Sequence, residues 1–160
     1  MKSIRFALLA ATLLLAAGCP REGWLSEPGE CDLCRRQIHQ ATLYRIHLED
    51  GTIEQTCCPR CGLHFEAGRQ DVVRREVADF ASGEMMKAED AFYVEGSSVH
   101  LCCSQLGARD RSGRQYALQW DRCLPSLVAF RSSEAAEQFR QEKGGAIKSF
   151  GQLSTEPEKR

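Results

Sequence analysis

The chain has 160 residues, with 21 basic against 22 acidic side chains and a formal net charge of −1. That balance, with charges interspersed rather than blocked, leaves no electrostatic footprint for nucleic acid or an anionic surface. No Ser-His-Asp grouping, paired catalytic carboxylates or glycine-rich phosphate loop stands out, so binding is expected and catalysis is not. What remains is nine cysteines, which at regular spacing serve as metal ligands or as a disulfide framework.

At the N-terminus, Lys2 and Arg5 precede an apolar stretch over 6–17. It is too short to span roughly 30 Å of hydrocarbon and reads as the core of a signal peptide, residues 1–18. Leu15-Ala16-Ala17-Gly18-Cys19 resembles the lipobox of bacterial lipoproteins, with small residues before the cysteine that becomes acylated. Cys19 is therefore the expected lipid attachment site, and several acyl chains anchor stably where one would not. Pro20 in place of aspartate, by resemblance to Gram-negative lipoproteins, implies the periplasmic face of the outer membrane. Residues 19–30, with Gly23, Pro28 and Gly29, form a short tether. Residues 31–153 are long enough for one ordinary domain, and 154–160 form a polar tail expected to fray.

Within the domain, alternation over 40–49 and the Asp50-Gly51 turn predict a β-hairpin that returns through 52–56. Pro59 suits the first turn of a helix over 60–67, stopped by Gly68. Residues 74–80 and 91–95 read as strands, although 71–77 also fits a helix. Further strands are expected over 115–120 and 127–130. Ser132 or Ser133 caps a helix that runs to Lys143 and ends at Gly144-Gly145, before a last strand over 146–150. The class is α+β, and knuckle, hairpin, knuckle, helix is a treble-clef or zinc-ribbon-like order. Cys57-Cys58-Pro59-Arg60-Cys61-Gly62 is echoed by Cys102-Cys103-Ser104-Gln105-Leu106-Gly107, which suggests two related halves.

Cys31-Asp32-Leu33-Cys34 and Cys58-Pro59-Arg60-Cys61 are separated by twenty-three residues. Two Cys-x-x-Cys knuckles at this separation predict a tetrahedral tetrathiolate site of Cys31, Cys34, Cys58 and Cys61, which suits Zn²⁺. Arg35, Arg36 and Arg60 lie near enough in sequence to offset its negative charge. Cys57, Cys102, Cys103 and Cys123 are left as a second, exchangeable cluster. Two other readings stay open. One is a disulfide framework, with Cys102 to Cys123 the first bridge expected, since vicinal Cα atoms only about 3.8 Å apart bridge poorly. The other is thiol redox chemistry at Cys58, acidified by the helix start. His64 and His100 are weaker candidates for ligation than the cysteines. Met85-Met86 is read as loop or core filling, and Tyr44, Phe92, Tyr93, Phe130 and Phe139 as packing.

Asp79-Phe80-Ala81-Ser82-Gly83-Glu84, Asp90-Ala91-Phe92-Tyr93-Val94-Glu95-Gly96-Ser97, Leu127-Val128-Ala129-Phe130, Ala135-Ala136-Glu137-Gln138-Phe139 and Gly144-Gly145 occur in this order. Together they resemble the NosL family of nitrous oxide reductase accessory lipoproteins, over roughly 31–153. The resemblance implies two ββαβ-like halves and a copper chaperone that delivers Cu(I) to a periplasmic metalloenzyme. The chain departs from the family in its soft ligands. Leu33 stands in the first knuckle where a methionine is common, and Cys123 takes the place of a later methionine. Thiolates bind Cu(I) and Zn²⁺ alike, so a structural zinc-ribbon lipoprotein is the competing expectation.

Overall fold

Tyr44, Ile46 and Leu48 point to one face of strand β1 (Tyr44–Leu48) and are buried, while Arg45 and His47 are half-buried on the other. This period of two is what a strand covered on one face requires. The computed structural model describes residues 29–99, 101, 108–109, 115–116 and 123–155. Among them no helix is long and apolar enough to cross a membrane. The hairpin closes at Asp50-Gly51, where Gly51 adopts φ 85° and the Asp50 carboxylate accepts from the Thr52 amide at 2.8 Å. Strand β2 (Ile53–Thr56) then pairs antiparallel with β1, placing Thr56 opposite Tyr44.

Helix α1 (Pro59–Glu66) follows at once, with Pro59 in its first turn and Cys58 extended at its N-cap. Strand β3 (Val72–Ala78) returns along the free edge of β1, and β4 (Met85–Lys87) adds to β3. The sheet order is β2-β1-β3-β4. Residues 72–77, which also suit a helix, are held extended by pairing with β1 and, from Glu76 onward, with β4 as well. Met85 and Met86 lie in a short edge strand and pack, partly buried, against the cores, in keeping with their reading as core filling.

The second unit repeats this order of elements. Strand β5 (Phe92–Glu95) is followed by a short ladder of β6 (Ala108–Arg109) and β7 (Gln115–Tyr116). Then come β8 (Leu127–Phe130), α2 (Ser133–Lys143), β9 (Ala146–Ser149) and α3 (Phe150–Thr155). Its sheet order, β8-β5-β9, matches β2-β1-β3 element for element. The cysteine echo does not follow this correspondence. Cys57-Cys58 stands between the second strand and the helix, whereas Cys102-Cys103 falls in the chain between β5 and β8. The position matching Cys57-Cys58 is held by Arg131-Ser132, where the Ser132 hydroxyl accepts from the Ala135 amide at 3.2 Å and caps α2. Residues 117–120 of the expected strand lie outside the described residues. Residues 154–155, assigned by sequence to the tail, belong to α3, whose Leu153 is buried.

All four residues of β8 are buried because the second sheet is covered on both faces. Leu127 and Ala129 join a core with Tyr44, Ile46, Val77, Tyr93 and Leu153. Val128 and Phe130 face α2 with Val94 and Ala136. There Phe80, Phe130 and Phe139 pack with ring centroids 5.0 to 5.8 Å apart, distances typical of favourable aromatic pairs.

Asp79 fastens the two sheets together. Its carboxylate accepts from the Ser82 amide at 3.0 Å, the Ser82 hydroxyl at 2.6 Å and the Arg131 amide at 3.0 Å. The neighbouring Phe80 amide donates to the Ala129 carbonyl at 2.8 Å. Burial pushes the Asp79 carboxyl upward, but the bonds from Ser82 and Arg131 outweigh it and hold it below the usual aspartate range. A carboxyl depressed by folding stabilises fully above its unfolded pKa of about 3.9 and loses that effect as pH falls through the folded value. Asp79→Ala should therefore cost about 1–3 kcal/mol at neutral pH, since two backbone donors lose a buried partner. Urea unfolding at pH 7 and pH 3 tests this, and the difference between variant and parent should shrink at the lower pH.

Gly62 lets α1 lie against β1. A Cβ there would sit 2.2 Å from the Tyr44 ring, itself fully buried and donating to Glu66 at 3.3 Å. Gly62→Ala should lower stability by about 1–3 kcal/mol through overpacking, despite alanine's better helix propensity. An unchanged urea midpoint would refute this packing constraint.

Candidate metal centre

The first knuckle is shaped by backbone hydrogen bonds to its own sulfur and strand. The Cys34 amide donates to Cys31 Sγ at 3.4 Å and the Arg35 amide to the Cys31 carbonyl at 2.9 Å. Arg35 turns the chain at φ 62°, a left-handed conformation uncommon outside glycine. Asp32 pins this turn to β2: its amide donates to the Gln55 carbonyl at 2.9 Å, and its carboxylate accepts from the Gln55 amide at 2.7 Å. The second knuckle is carried by the start of α1, which supplies Cys58 and Cys61 directly after Cys57.

Cys123 comes from the other unit, on the loop before β8. That loop is tied to the end of β5, where the Gly96 amide donates to the Ser126 carbonyl at 2.8 Å and the Ser126 hydroxyl to the Ser97 carbonyl at 2.8 Å. The result is a cluster of six sulfurs. Cys57 Sγ lies 3.4 Å from Cys34, 3.6 Å from Cys123, 3.7 Å from Cys61 and 4.0 Å from Cys58, and Cys61 lies 3.5 Å from Cys123. No disulfide joins any two of the six.

Two sets of four have all their sulfurs within 4.8 Å of one another: Cys31, Cys34, Cys57 and Cys61, and Cys57, Cys58, Cys61 and Cys123. A tetrahedral tetrathiolate with metal–sulfur bonds of about 2.3 Å needs sulfurs about 3.8 Å apart. The residues present fit such an ion by donor type and by spacing. This grouping differs from the partition expected by spacing alone. Cys57, not Cys58, joins Cys31, Cys34 and Cys61, because Cys58 is extended at the N-cap and its sulfur falls on the Cys123 side. Cys102, Cys103, His100 and Trp120, and with them the expected Cys102–Cys123 bridge, lie outside the described residues, as does Cys19.

Five of the sulfurs are almost sealed: Cys31, Cys57 and Cys61 are 0 % exposed, Cys123 1 % and Cys58 3 %, while Cys34 is half-buried. Ile38, Leu43 and Ala78 complete the wall, with Leu33 and Met85 packed against it. A redox thiol must meet its partner in solution, so the burial of Cys58 counts against that reading. Of the arginines whose sequence position suggested the counter-charge, Arg36 reaches a sulfur. Arg36 Nη1 donates to Cys123 Sγ at 3.3 Å, whereas Arg60 pairs with Glu95 and donates to the Pro125 carbonyl. His47 faces Glu76 at 2.8 Å on the sheet surface.

The sulfurs divide charge unevenly. Cys123 pushes the Cys34 thiol up, but donation from Cys31, Cys57 and Cys61 overrides it and holds Cys34 down at about 3. Cys31 is raised by Cys34 and lowered more by Cys57 and Cys61, to about 6. Cys61 is pushed far upward by Cys123, Cys31 and Cys34. The sulfur–sulfur hydrogen bonds thus favour the thiolate at Cys34 and Cys31 and the thiol at Cys61. A separate cleft of about 420 Å³ beside α1 is lined by Arg60, His64, Glu66, Arg75, Glu95 and Lys148, with no cysteine in its wall.

With this geometry established, known proteins can be compared. The fold is similar to that of the copper chaperone NosL from Shewanella denitrificans. The two superpose with a TM-score of 0.57 at 17 % identity, over 81 % of this chain and 92 % of that one. No family model matches the sequence, and no curated protein matches it. At this identity the likeness establishes the α+β fold, and the sulfur cluster stands on its own geometry.

Removing the Arg36 guanidinium should weaken metal binding without abolishing it, since it contacts a ligand and not the metal. Arg36→Gln is expected to lower Zn²⁺ affinity by about 10–100-fold, the range for outer-shell partners. Competition against a chromophoric chelator reads this directly, and unchanged affinity would show that the contact has no role in binding.

Proposed function

We propose that this protein is a lipid-anchored envelope metal carrier that takes up Cu(I) through its cysteine cluster and passes it to a periplasmic copper enzyme. The observation that carries this reading is the gathering of six thiols from both units into one centre. Soft thiolates suit Cu(I), and a fold similar to a copper chaperone supports the assignment. The function is binding and transfer, not turnover. Acylation at Cys19 would hold the carrier at the membrane, on the outer-membrane side by the lipobox context, and an enzyme such as nitrous oxide reductase is the class of recipient that the family resemblance suggests. We also read the two units as a duplicated ββαβ element, the first treble-clef-like at its knuckles, because the strand orders β2-β1-β3 and β8-β5-β9 coincide.

Transfer needs a way in and out of a sealed centre. Cys34 provides it, being the one half-buried ligand of the six, on a turn held to the rest by hydrogen bonds of Cys31 and Asp32. A second reading is favoured by the other five sulfurs, whose near-complete burial suits a closed structural Zn²⁺ site.

Anaerobic loading with Cu(I), followed by challenge with a high-affinity chelator, separates the two. A carrier gives up copper within minutes while folded, and Cys34→Ser, which removes the half-buried point of exchange, should slow that transfer. Metal retained until the protein unfolds would overturn the carrier reading in favour of structural zinc. Cys19→Ser should move the protein from the membrane to the soluble fraction of envelope preparations. Persistence in the membrane would refute acylation as the anchor.

A further inference from the structure

The two four-sulfur sets are not independent. Both contain Cys57 and Cys61, so six sulfurs complete two tetrahedra only if these two are held in common. Cys57 is placed for this at the middle of the cluster, with contacts of 3.4 Å to Cys34 in one set and 3.6 Å and 4.0 Å to Cys123 and Cys58 in the other. Cys61 is likewise 3.5 Å from Cys123 and 3.7 Å from Cys57.

We propose that the cluster is a binuclear thiolate centre that binds two d¹⁰ ions, bridged by Cys57 and Cys61. One ion is completed by Cys31 and Cys34, and the other by Cys58 and Cys123. This deepens the reading of the centre as a metal site and rests on it. Sulfur has lone pairs enough to bind two ions at once, and six-cysteine, two-zinc modules use the same economy of ligands.

Charge supports the count. Six thiols that release six protons to solvent on taking up two divalent ions leave a net charge of −2. A single ion on one set carries that same charge with four thiolates, so filling the second site adds no net charge to a buried centre. The guanidinium of Arg36 sits on Cys123, one of the two terminal ligands of the inner set, where part of the excess is felt. The division of labour is also plain in the burial. The outer set contains the half-buried Cys34, and every sulfur of the inner set is at most 3 % exposed.

The probe is Cd²⁺, added to the reduced full-length protein in detergent under anaerobic conditions. Native mass spectrometry counts the ions, and ¹¹³Cd NMR tests for the bridge. Two ions per chain with two tetrathiolate resonances that split each other through the shared sulfurs are expected. A single ion would overturn the binuclear proposal while leaving the metal-site reading intact. No retained ion would overturn both. Two ions without mutual splitting would overturn the bridge, as would three or more.

Substitution separates shared from terminal ligands. Cys58→Ser should leave one ion in the complete outer set, whereas Cys57→Ser should leave neither set complete and release both ions to a chelator that the parent resists. Equal effects of the two would overturn the bridging assignment, with circular dichroism showing that each variant is folded. Replacing Cys102 and Cys103 together by serine should leave the count at two. A fall to one would place the second ion elsewhere and overturn the proposal.

Discussion

Everything else in this molecule is arranged around the contact of Cys57 with the sulfurs on either side of it. Thiols so close within an apolar wall cannot all ionise, because charge there is poorly solvated and like charges repel. Protonated, the cluster packs as a small hydrophobic core of its own beside Ile38, Leu43 and Ala78. Ionised, it needs a cation. On the carrier reading proposed above, the same sulfurs would serve packing in one state and coordination in the other, and metal uptake would be tied to proton release and to folding.

That contact depends on a particular joining of two sheets. Cys57 and Cys61 belong to the hairpin and helix of the first unit, and Cys123 to the loop before β8 in the second. The seam is set by Asp79, which takes the Arg131 amide, and by the Phe80 amide on Ala129. Because β8 is buried on both faces, its backbone has little freedom, and the loop that precedes it delivers Cys123 to a fixed place. Gly62 serves the same end on the other side. Its missing Cβ admits the Tyr44 ring and so sets how closely α1, with Cys58 and Cys61, approaches β1.

Polar groups near the cluster are used sparingly. Arg36 reaches Cys123, Asp32 holds the knuckle to β2, and Arg60 and Arg75 pair with Glu95 and Glu66. Leaving the sulfurs as the main polarisable groups in an apolar wall concentrates the field of any bound ion on its ligands.

The sequence by itself determined the local elements and the chemistry of the donors. Period-two alternation, Asp50-Gly51, Pro59 in the first turn of α1, Ser132 and Gly144 are short-range signals, each acting within a few residues, and they place the hairpin, the two longer helices and the principal strands near where they lie. The α+β class and a cysteine-rich set of candidate ligands were legible for the same reason. The grouping of the ligands was not. Spacing pairs Cys58 with Cys61 because both lie in one Cys-x-x-Cys motif, yet the direction of each sulfur depends on backbone angles at the N-cap, and there Cys57 comes within reach of both four-sulfur sets while Cys58 joins only the one with Cys123. Only the packing of the two sheets decided that Cys123 meets Cys57 across 66 positions of sequence, and that of the arginines named by sequence Arg36 reaches a sulfur while Arg60 pairs with Glu95. Such contacts are fixed by which apolar faces bury one another, a property of the whole fold that no local pattern encodes.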